Sequence, residues 1–192
     1  MTRLFLVRHG PTHAKSMVGW SDLPADLSDT DQLGRLSDYL PDDALVVSSD
    51  LSRAIDTASA IQGARNRLPN DPGFREIHFG EWELKTWSEI DASDPERIRA
   101  FWETPGDVRA PGGESWNEVA ARVDTAIDRL IHAHKDKALI VVGHFGMILT
   151  QIQRAERLTT EEAFSHRIDN LSVTEITLSD NVWKTGRVNH QP

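Results

Sequence analysis

The stretch Arg3-Leu4-Phe5-Leu6-Val7-Arg8-His9-Gly10 contains four consecutive apolar residues, followed by a guanidinium group, an imidazole and a glycine. An apolar run without polar alternation is typical of a strand that is buried on both faces of a sheet. The polar residues follow where this strand ends, and open α/β sheets bind ligands at that edge. The stretch therefore predicts a buried first strand whose carboxyl end carries chemistry.

Further apolar runs alternate with helical patterns along the chain. Buried strands are predicted over 44–47 and 138–142, and helices over 31–40, 51–62, 115–134 and 145–152. Ser115 and Glu118 form a capping box at the start of the longest helix. The segments 173–178 and 182–188 flank a turn and predict a closing hairpin. This order predicts an α/β fold: a three-layer sandwich with a mostly parallel central sheet, helices on both faces and a C-terminal hairpin.

The length of 192 residues, of which 39% are hydrophobic, predicts one domain over 1–192 with a cap-like insertion at about 80–111. That insertion is polar, rich in tryptophan and expected to be irregular. Its tryptophans either form a small core of the cap itself or wall a substrate pocket. They are Trp82, Trp87 and Trp102, with Trp116 just beyond.

The composition excludes several classes of function. A net charge of −9 argues against nucleic acid and anionic membranes as partners, because phosphate backbones select basic surfaces. The absence of cysteine excludes disulfides and thiol nucleophiles. The apolar runs are shorter than the ~20 residues of a membrane span. We therefore expect a cytoplasmic protein that acts on a small molecule.

Two later strands also end in polar groups. The second is followed by Ser48-Ser49-Asp50 and then Arg53, and the third by Gly143-His144-Phe145-Gly146. With Arg8 and His9, two histidines and two arginines are expected at one edge of the sheet, beside helix N-termini that favour anions. A metal site on the two histidines is the alternative, but the arginines would repel a cation and no carboxylate joins them. The set predicts a phosphate pocket without a metal.

Five segments resemble motifs of the histidine phosphatase superfamily, in its phosphoglycerate-mutase-like branch. The resemblance runs roughly from Arg3 to Ile152, and its first motif is the most specific. The segments are Leu6–Thr12, Ser48–Ala54 with Thr57 and Ala58, Arg75–Glu83, Pro111–Ser115 and Val142–Gly146.

The resemblance implies a catalytic role for each of five residues. His9 is the nucleophile that forms a phosphohistidine, and Arg8, Arg53 and His144 stabilise the transferring phosphoryl group. His144 is expected to be protonated beside a phosphate dianion. Glu76 is the expected general acid, ahead of its rivals Glu81 and Glu83, which otherwise form a solvated loop face. No cofactor is implied.

The expected substrate-binding residues add Thr12, Lys15 and Phe145 to Arg8, Arg53 and His144. Lys15 stands where the family usually has an asparagine that touches phosphate. Either Lys15 takes over as a phosphate ligand or the loop has rearranged. His13 is a further candidate for the pocket wall.

The leading interpretation is a phosphomonoesterase that hydrolyses a small phosphorylated metabolite. The alternatives are phosphoryl transfer of the phosphoglycerate mutase type, an α-ribazole 5′-phosphate phosphatase, and a binding module without catalysis. The resemblance to the family also implies a homodimer.

Residues 1–15 carry a net charge of +3, whereas residues 80–107 carry eight acidic and three basic side chains, a net −5. A positive floor under an acidic cap would accept one phosphate and disfavour a bisphosphate.

Overall fold

A six-stranded sheet forms the centre of the molecule in the computed structural model, which describes Met1–Pro192. The strands are β1 (Thr2–Arg8), β2 (Leu45–Ser48), β3 (Asn66–Arg67), β4 (Ala138–Gly143), β5 (Val173–Ser179) and β6 (Val182–Thr185). Their order across the sheet is β3-β2-β4-β1-β5-β6. The first four are parallel, and β5 and β6 are antiparallel to their neighbours. The predicted α/β class with a mostly parallel sheet is confirmed.

Seven α-helices surround this sheet. They are α1 (Thr30–Tyr39), α2 (Ser52–Ile61), α3 (Trp87–Ser93), α4 (Pro95–Glu103), α5 (Trp116–Ala133), α6 (Phe145–Glu156) and α7 (Thr160–Phe164). The predicted capping box of α5 is present, with Ser115 as the N-cap and Glu118 reaching back to its amide. None of the helices combines the length and the apolar character of a membrane span.

The strands bury both faces, as their unbroken apolar runs predict. In β1, Leu4 and Leu6 belong to one core cluster, whereas Phe5 and Val7 belong to a second cluster on the opposite face. This alternation follows from the two-residue period of a strand. Helices α1 and α2 contribute apolar residues to the second cluster, and α5 and α6 contribute to the first. The sheet is thus the middle layer of three.

The segment 80–111 is more regular than its sequence predicts. It contains α3 and α4, and Ile90, Ile98 and Phe101 are buried in the same cluster as the strand residues Leu4 and Leu6. Its tryptophans therefore form no separate core. The sequence signal for α3 was a capping box of Thr86 and Glu89, a pattern that also marks α7 at Thr159 and Glu162.

The closing hairpin differs from its prediction at one end. Strand β6 stops at Thr185, three residues earlier than the apolar pattern indicates. The turn itself is as expected, because Asp180 and Asn181 both have positive φ, at 51° and 62°. Two such residues match the twist of the flanking strands and favour a two-residue hairpin loop. The short strand β3 was not predicted, since two residues carry no periodic signal.

Candidate active site

The order of the strands brings the polar strand ends together. Strand β4 lies between β1 and β2, and the register pairs Arg8 with Gly143 and Ser48 with Val142. His9 follows β1, Arg53 lies in the first turn of α2, and His144 is the N-cap of α6. Residues from three distant segments thus meet at one edge of the sheet, as the sequence predicts.

The hydrogen bonds of His9 fix its tautomer. Nδ1 lies 2.6 Å from the carbonyl oxygen of Gly10, so this nitrogen carries the proton and donates it. Nε2 accepts a hydrogen bond from Nε of Arg53 at 3.3 Å, so it presents a lone pair. Thr57 holds Gly10 in place, because its Oγ1 accepts from the Gly10 amide at 2.9 Å. The ring is therefore held with Nε2 unprotonated and its lone pair directed to Arg53.

Burial and positive charge keep His9 neutral. The side chain is buried. Desolvation and then the charge of Arg53 lower the pKa of His9 from 6.5 to about 3, although its bond to the Gly10 carbonyl opposes the shift. The unprotonated form is thus present throughout the neutral range, and a nitrogen nucleophile needs this form.

The two arginines hold their charge without a carboxylate partner. Arg53 is 1% exposed, and its terminal nitrogens donate to the carbonyl oxygens of Gly19 at 2.6 Å and Ser21 at 2.9 Å. Arg8 donates to the carbonyl oxygen of Ile168 at 2.5 Å, while its Nε is buried without an acceptor. Because carbonyl groups carry no net charge, both guanidinium groups retain a full positive charge for an anion.

His144 is fully buried, and its ring centroid lies 5.0 Å from that of His9. Neither ring nitrogen has a hydrogen-bond partner. Burial, followed by the influence of His9 and the nearby arginines, holds the pKa of His144 well below 6.5. Burial thus favours the neutral ring in the free protein, whereas the predicted protonation is that of a ring beside a phosphate dianion. That prediction requires a bound dianion to offset the desolvation.

The carboxylate of Glu76 is fixed at the start of α6. Both of its oxygens accept from the amide of Gly146, at 3.0 and 3.1 Å, and Oε1 also accepts from the amide of Ile77 at 3.0 Å. The backbone carbonyl of Glu76 accepts from Nε1 of Trp20 at 2.8 Å and from Arg122 at 3.1 Å. The side chain is 8% exposed, so it is a buried carboxyl group beside the histidines.

Arg8, His9, Arg53 and Glu76 line one polar cavity, which we call the phosphate pocket, whereas the buried His144 is not among its lining residues. Its lining residues are Arg8, His9, Thr12, Ala14, Ser16, Val18, Arg53 and Glu76. Lys15 is exposed and is not one of them, whereas its neighbour Ser16, which the sequence reasoning did not select, is. His13 is also exposed and contacts Asp26 at 2.7 Å. Phe145 lies at the border of the site, where the guanidinium group of Arg8 is 5.3 Å from its ring.

Glu83 is a structural clamp rather than a solvated loop residue. Its carboxylate accepts from the amides of Gly19, Trp20, Ser21 and Phe79 and from the hydroxyl of Ser21. These bonds outweigh the opposing effect of burial and lower the pKa of Glu83. Because Gly19 and Ser21 supply the carbonyl acceptors of Arg53, Glu83 positions that guanidinium group. Glu81, in contrast, is exposed.

An ion pair supports the segment that carries Glu76. Arg122 forms a bidentate pair with Glu114, with both N···O distances at 2.8 Å. The same guanidinium group donates to the backbone carbonyls of Gly73, Arg75 and Glu76. Glu114 belongs to the fourth motif of the sequence, so this motif fixes the backbone of Glu76 through Arg122. The structure contains no cluster of three or more His, Asp or Glu residues suited to a metal ion.

A neutral imidazole beside one buried and one half-buried guanidinium group, at the carboxyl edge of an α/β sheet, defines an enzyme of phosphoryl chemistry. Comparison with known proteins agrees. The model of the histidine phosphatase superfamily (branch 1) matches residues 4–191. The chain therefore belongs to this superfamily, and it is a phosphoric monoester hydrolase.

Individual relatives cover nearly the whole chain. Phosphoglycerate mutase-like protein 4 of Arabidopsis thaliana is 31% identical, over 97% of this chain and 86% of the relative. The metal-independent phosphoserine phosphatase of the same plant is 30% identical, over 95% and 79%. The structure of YhfR from Bacillus stearothermophilus superposes with a TM-score of 0.90 at 27% identity, covering 98% of this chain and 97% of that one.

We predict that Gly146→Ala displaces the carboxylate of Glu76. A Cβ at this position would lie 2.4 Å from Oε1 of Glu76, which is closer than real contacts allow. Since misplacing a reacting group by ~1 Å can cost ~100-fold in rate, we expect kcat to fall about 10- to 100-fold. The control is Gly34→Ala, where a Cβ meets nothing within 4 Å. Steady-state kinetics with unchanged kcat for Gly146→Ala would contradict the placement of Glu76.

We predict that Glu83→Gln weakens the hold on Arg53. The amide has one acceptor oxygen where the carboxylate has two, and its NH₂ group would face backbone donors. We expect kcat/KM to fall about tenfold and the inhibition constant for inorganic phosphate to rise, because Arg53 loses its fixed carbonyl acceptors. Glu81→Gln is the matched control, two residues away and exposed. Equal phosphate affinity in both variants would refute the positioning role.

We predict that His9 stays neutral far below pH 6.5 in the folded protein. Burial lowers its pKa to about 3, so protonation begins only when the pH falls towards that value. Nitrogen-15 NMR of the histidine rings should show no protonation of His9 between pH 8 and pH 5. In urea the same ring should titrate near ~6.5, the value of an unfolded chain. A midpoint near 6.5 in the native protein would show that the ring is not desolvated.

Proposed function

We propose that the chain hydrolyses a small phosphate monoester in two steps, through a phosphohistidine on Nε2 of His9. The observation that carries the proposal is the fixed tautomer of His9, whose Nδ1 donates to Gly10 and whose Nε2 lone pair lies in the phosphate pocket beside Arg53. A nitrogen nucleophile requires this state, and a merely structural histidine does not.

In the first step, Nε2 of His9 attacks phosphorus and the bond from phosphorus to the ester oxygen breaks. Arg8, Arg53 and His144 stabilise the charge on the three transferring oxygens, which is the main catalytic work of phosphoryl transfer. The unpartnered Nε of Arg8 and the unpartnered ring of His144 are the donors available for this purpose. A dianion beside His144 favours its protonated form, so substrate binding itself charges the ring.

The leaving oxygen takes its proton from Glu76. In the second step, the Glu76 carboxylate accepts a proton from water, the water oxygen attacks phosphorus, and the bond from phosphorus to Nε2 breaks. Inorganic phosphate leaves, His9 regains its lone pair, and Glu76 is protonated again, so the protons balance over one turnover. Glu76 supports both steps by its place in the wall of the phosphate pocket with His9.

Arg8, Arg53 and His144 supply the positive charge that the reaction needs, so we propose that the reaction proceeds without a metal. One of the relatives is named a metal-independent phosphatase, which supports this reading. We propose in addition that the protein is cytoplasmic and homodimeric. Both of these remain predictions.

A mutase activity is the second candidate, because one relative is named as phosphoglycerate mutase-like. The net charge of −5 over residues 80–107 disfavours it, since a mutase of this type must retain a bisphosphate. A phosphatase specific for α-ribazole 5′-phosphate stays within the proposed reaction as a narrower substrate. A panel of mono- and bisphosphorylated metabolites separates these readings, and comparable turnover of bisphosphates would favour the mutase.

The decisive experiment is His9→Ala. We expect hydrolysis of p-nitrophenyl phosphate to fall by about 10⁴-fold or more, because the nucleophile is removed. The control is His132→Ala, which changes an exposed histidine on α5. Denaturation in alkali after brief exposure to substrate should leave phosphate on His9 of the native enzyme, because the phosphorus–nitrogen bond of phosphohistidine is stable in base and hydrolyses in acid. Activity that survives His9→Ala would overturn the proposal.

We expect EDTA to leave the rate of hydrolysis unchanged. Dialysis against the chelator, followed by an assay with and without added Mg²⁺ or Zn²⁺, measures this directly. Strong inhibition that added metal reverses would refute a metal-independent reaction.

A further inference from the structure

A second cavity lies on the other side of Glu76 from the phosphate pocket. Six aromatic rings line it: Phe79, Phe101, Trp102, Trp116, Phe145 and Phe164. Its volume is about 40 Å³, below the usual size of small-molecule sites, ~300–1,000 Å³, so a ring-sized group enters only when side chains of its wall move apart. We call it the aromatic cavity. The reaction steps above make no use of it.

The rings come from the cap helix α4, from α7 and from other parts of the fold. Phe101 and Trp102 lie on α4, and Phe164 ends α7. Ring centroids are 5.1 Å apart for Phe101 and Trp102, 5.8 Å for Trp102 and Phe164, and 4.6 Å for Trp116 and Phe164. The lining contains no lysine, arginine or histidine. The wall therefore offers apolar contact and no counter-ion.

Two residues connect this cavity to the reaction. Glu76 lines both the phosphate pocket and the aromatic cavity, and Phe145 lines the cavity while its ring faces the guanidinium group of Arg8. In the proposed function, Glu76 donates its proton to the oxygen of the leaving group. The atoms beyond that oxygen then extend past Glu76 into the aromatic cavity.

From this juxtaposition we propose that the aromatic cavity is the leaving-group site, and that it selects uncharged apolar alcohols, such as a single aromatic ring or a short alkyl chain. The inference rests on the proposed function and adds its substrate class. Leaving groups with a carboxylate are disfavoured, because a buried carboxylate without a counter-ion is costly. The excess of acidic residues over 80–107 adds repulsion. The chain would thus differ from relatives named for phosphoserine and phosphoglycerate.

The first experiment compares leaving groups on the native enzyme. Benzyl phosphate, ethyl phosphate and O-phosphoserine are all esters of alkanols, so the comparison mainly tests the shape and charge of the leaving group. We expect kcat/KM for benzyl phosphate to exceed that for ethyl phosphate by about tenfold or more, because the ring is removed from water. O-Phosphoserine should be slower than ethyl phosphate.

Variants then locate the preference. Trp102→Ala opens the wall at a half-buried position and should reduce the ratio of kcat/KM for benzyl over ethyl phosphate about tenfold. Phe164→Lys brings an ammonium group to the cavity and should raise the ratio for phosphoserine over benzyl phosphate about tenfold or more. Trp87→Ala is the matched control, since Trp87 is 45% exposed and lies outside the cavity. Ratios measured on one enzyme preparation are independent of its folded fraction.

The outcomes separate the two proposals. If ethyl phosphate is hydrolysed in a His9-dependent manner, but phosphoserine is as good as benzyl phosphate or neither cavity variant changes its ratio, the leaving-group site is refuted and the proposed function stands. If no ester is hydrolysed, or hydrolysis survives His9→Ala, both proposals fall. A benzyl preference that Trp102→Ala reduces and Trp87→Ala preserves supports the site.

Discussion

The site depends on one constraint: an imidazole must remain neutral while it lies beside two guanidinium groups. A surface histidine would titrate near ~6.5 and would be partly charged at neutral pH. Burial and Arg53 remove this possibility for His9, and the Gly10 carbonyl then decides which nitrogen keeps the proton. The same positive charge that suppresses protonation attracts the phosphate. In the proposed reaction, nucleophile activation and substrate binding thus arise from one electrostatic arrangement.

That arrangement requires arginines that are fixed but not neutralised. A carboxylate partner would hold Arg53 and also cancel its charge, whereas the carbonyls of Gly19 and Ser21 hold it without net charge. The loop that carries these two carbonyls must therefore be held in place by other groups. Glu83 performs this task through five hydrogen bonds to residues around that loop. The negative charge of Glu83 therefore contacts the backbone that supports Arg53, and not the guanidinium group itself.

The sequence predicts the strand-end residues well, because the end of a buried strand has a fixed position in a parallel sheet. His9 and His144 follow this rule, as the register of β1 and β4 confirms. Loop residues have no such rule: nothing in the sequence distinguishes Lys15, which is exposed, from Ser16, which lines the pocket. Glu83 also lay beyond prediction, since all of its partners except Phe79 are about 60 residues away in the chain. Helix α3 could have been predicted, because its capping box is local.

The start of α6 shows how closely charge, shape and proton transfer are joined in the proposed reaction. His144 is its N-cap, yet its side chain does not cap the helix, and its ring lies 5.0 Å from that of His9. Phe145 lines the aromatic cavity, and the amide of Gly146 holds both oxygens of Glu76. Three consecutive residues thus serve the phosphoryl oxygens, the leaving group and the acid. Because β4 and α6 fix all three residues together, a displacement of this helix end would disturb binding, specificity and chemistry at once. A backbone shift here could therefore not change the preferred leaving group without loss of the reaction. Changes of specificity must instead come from side chains of α4 and α7, which reach the cavity without touching the nucleophile.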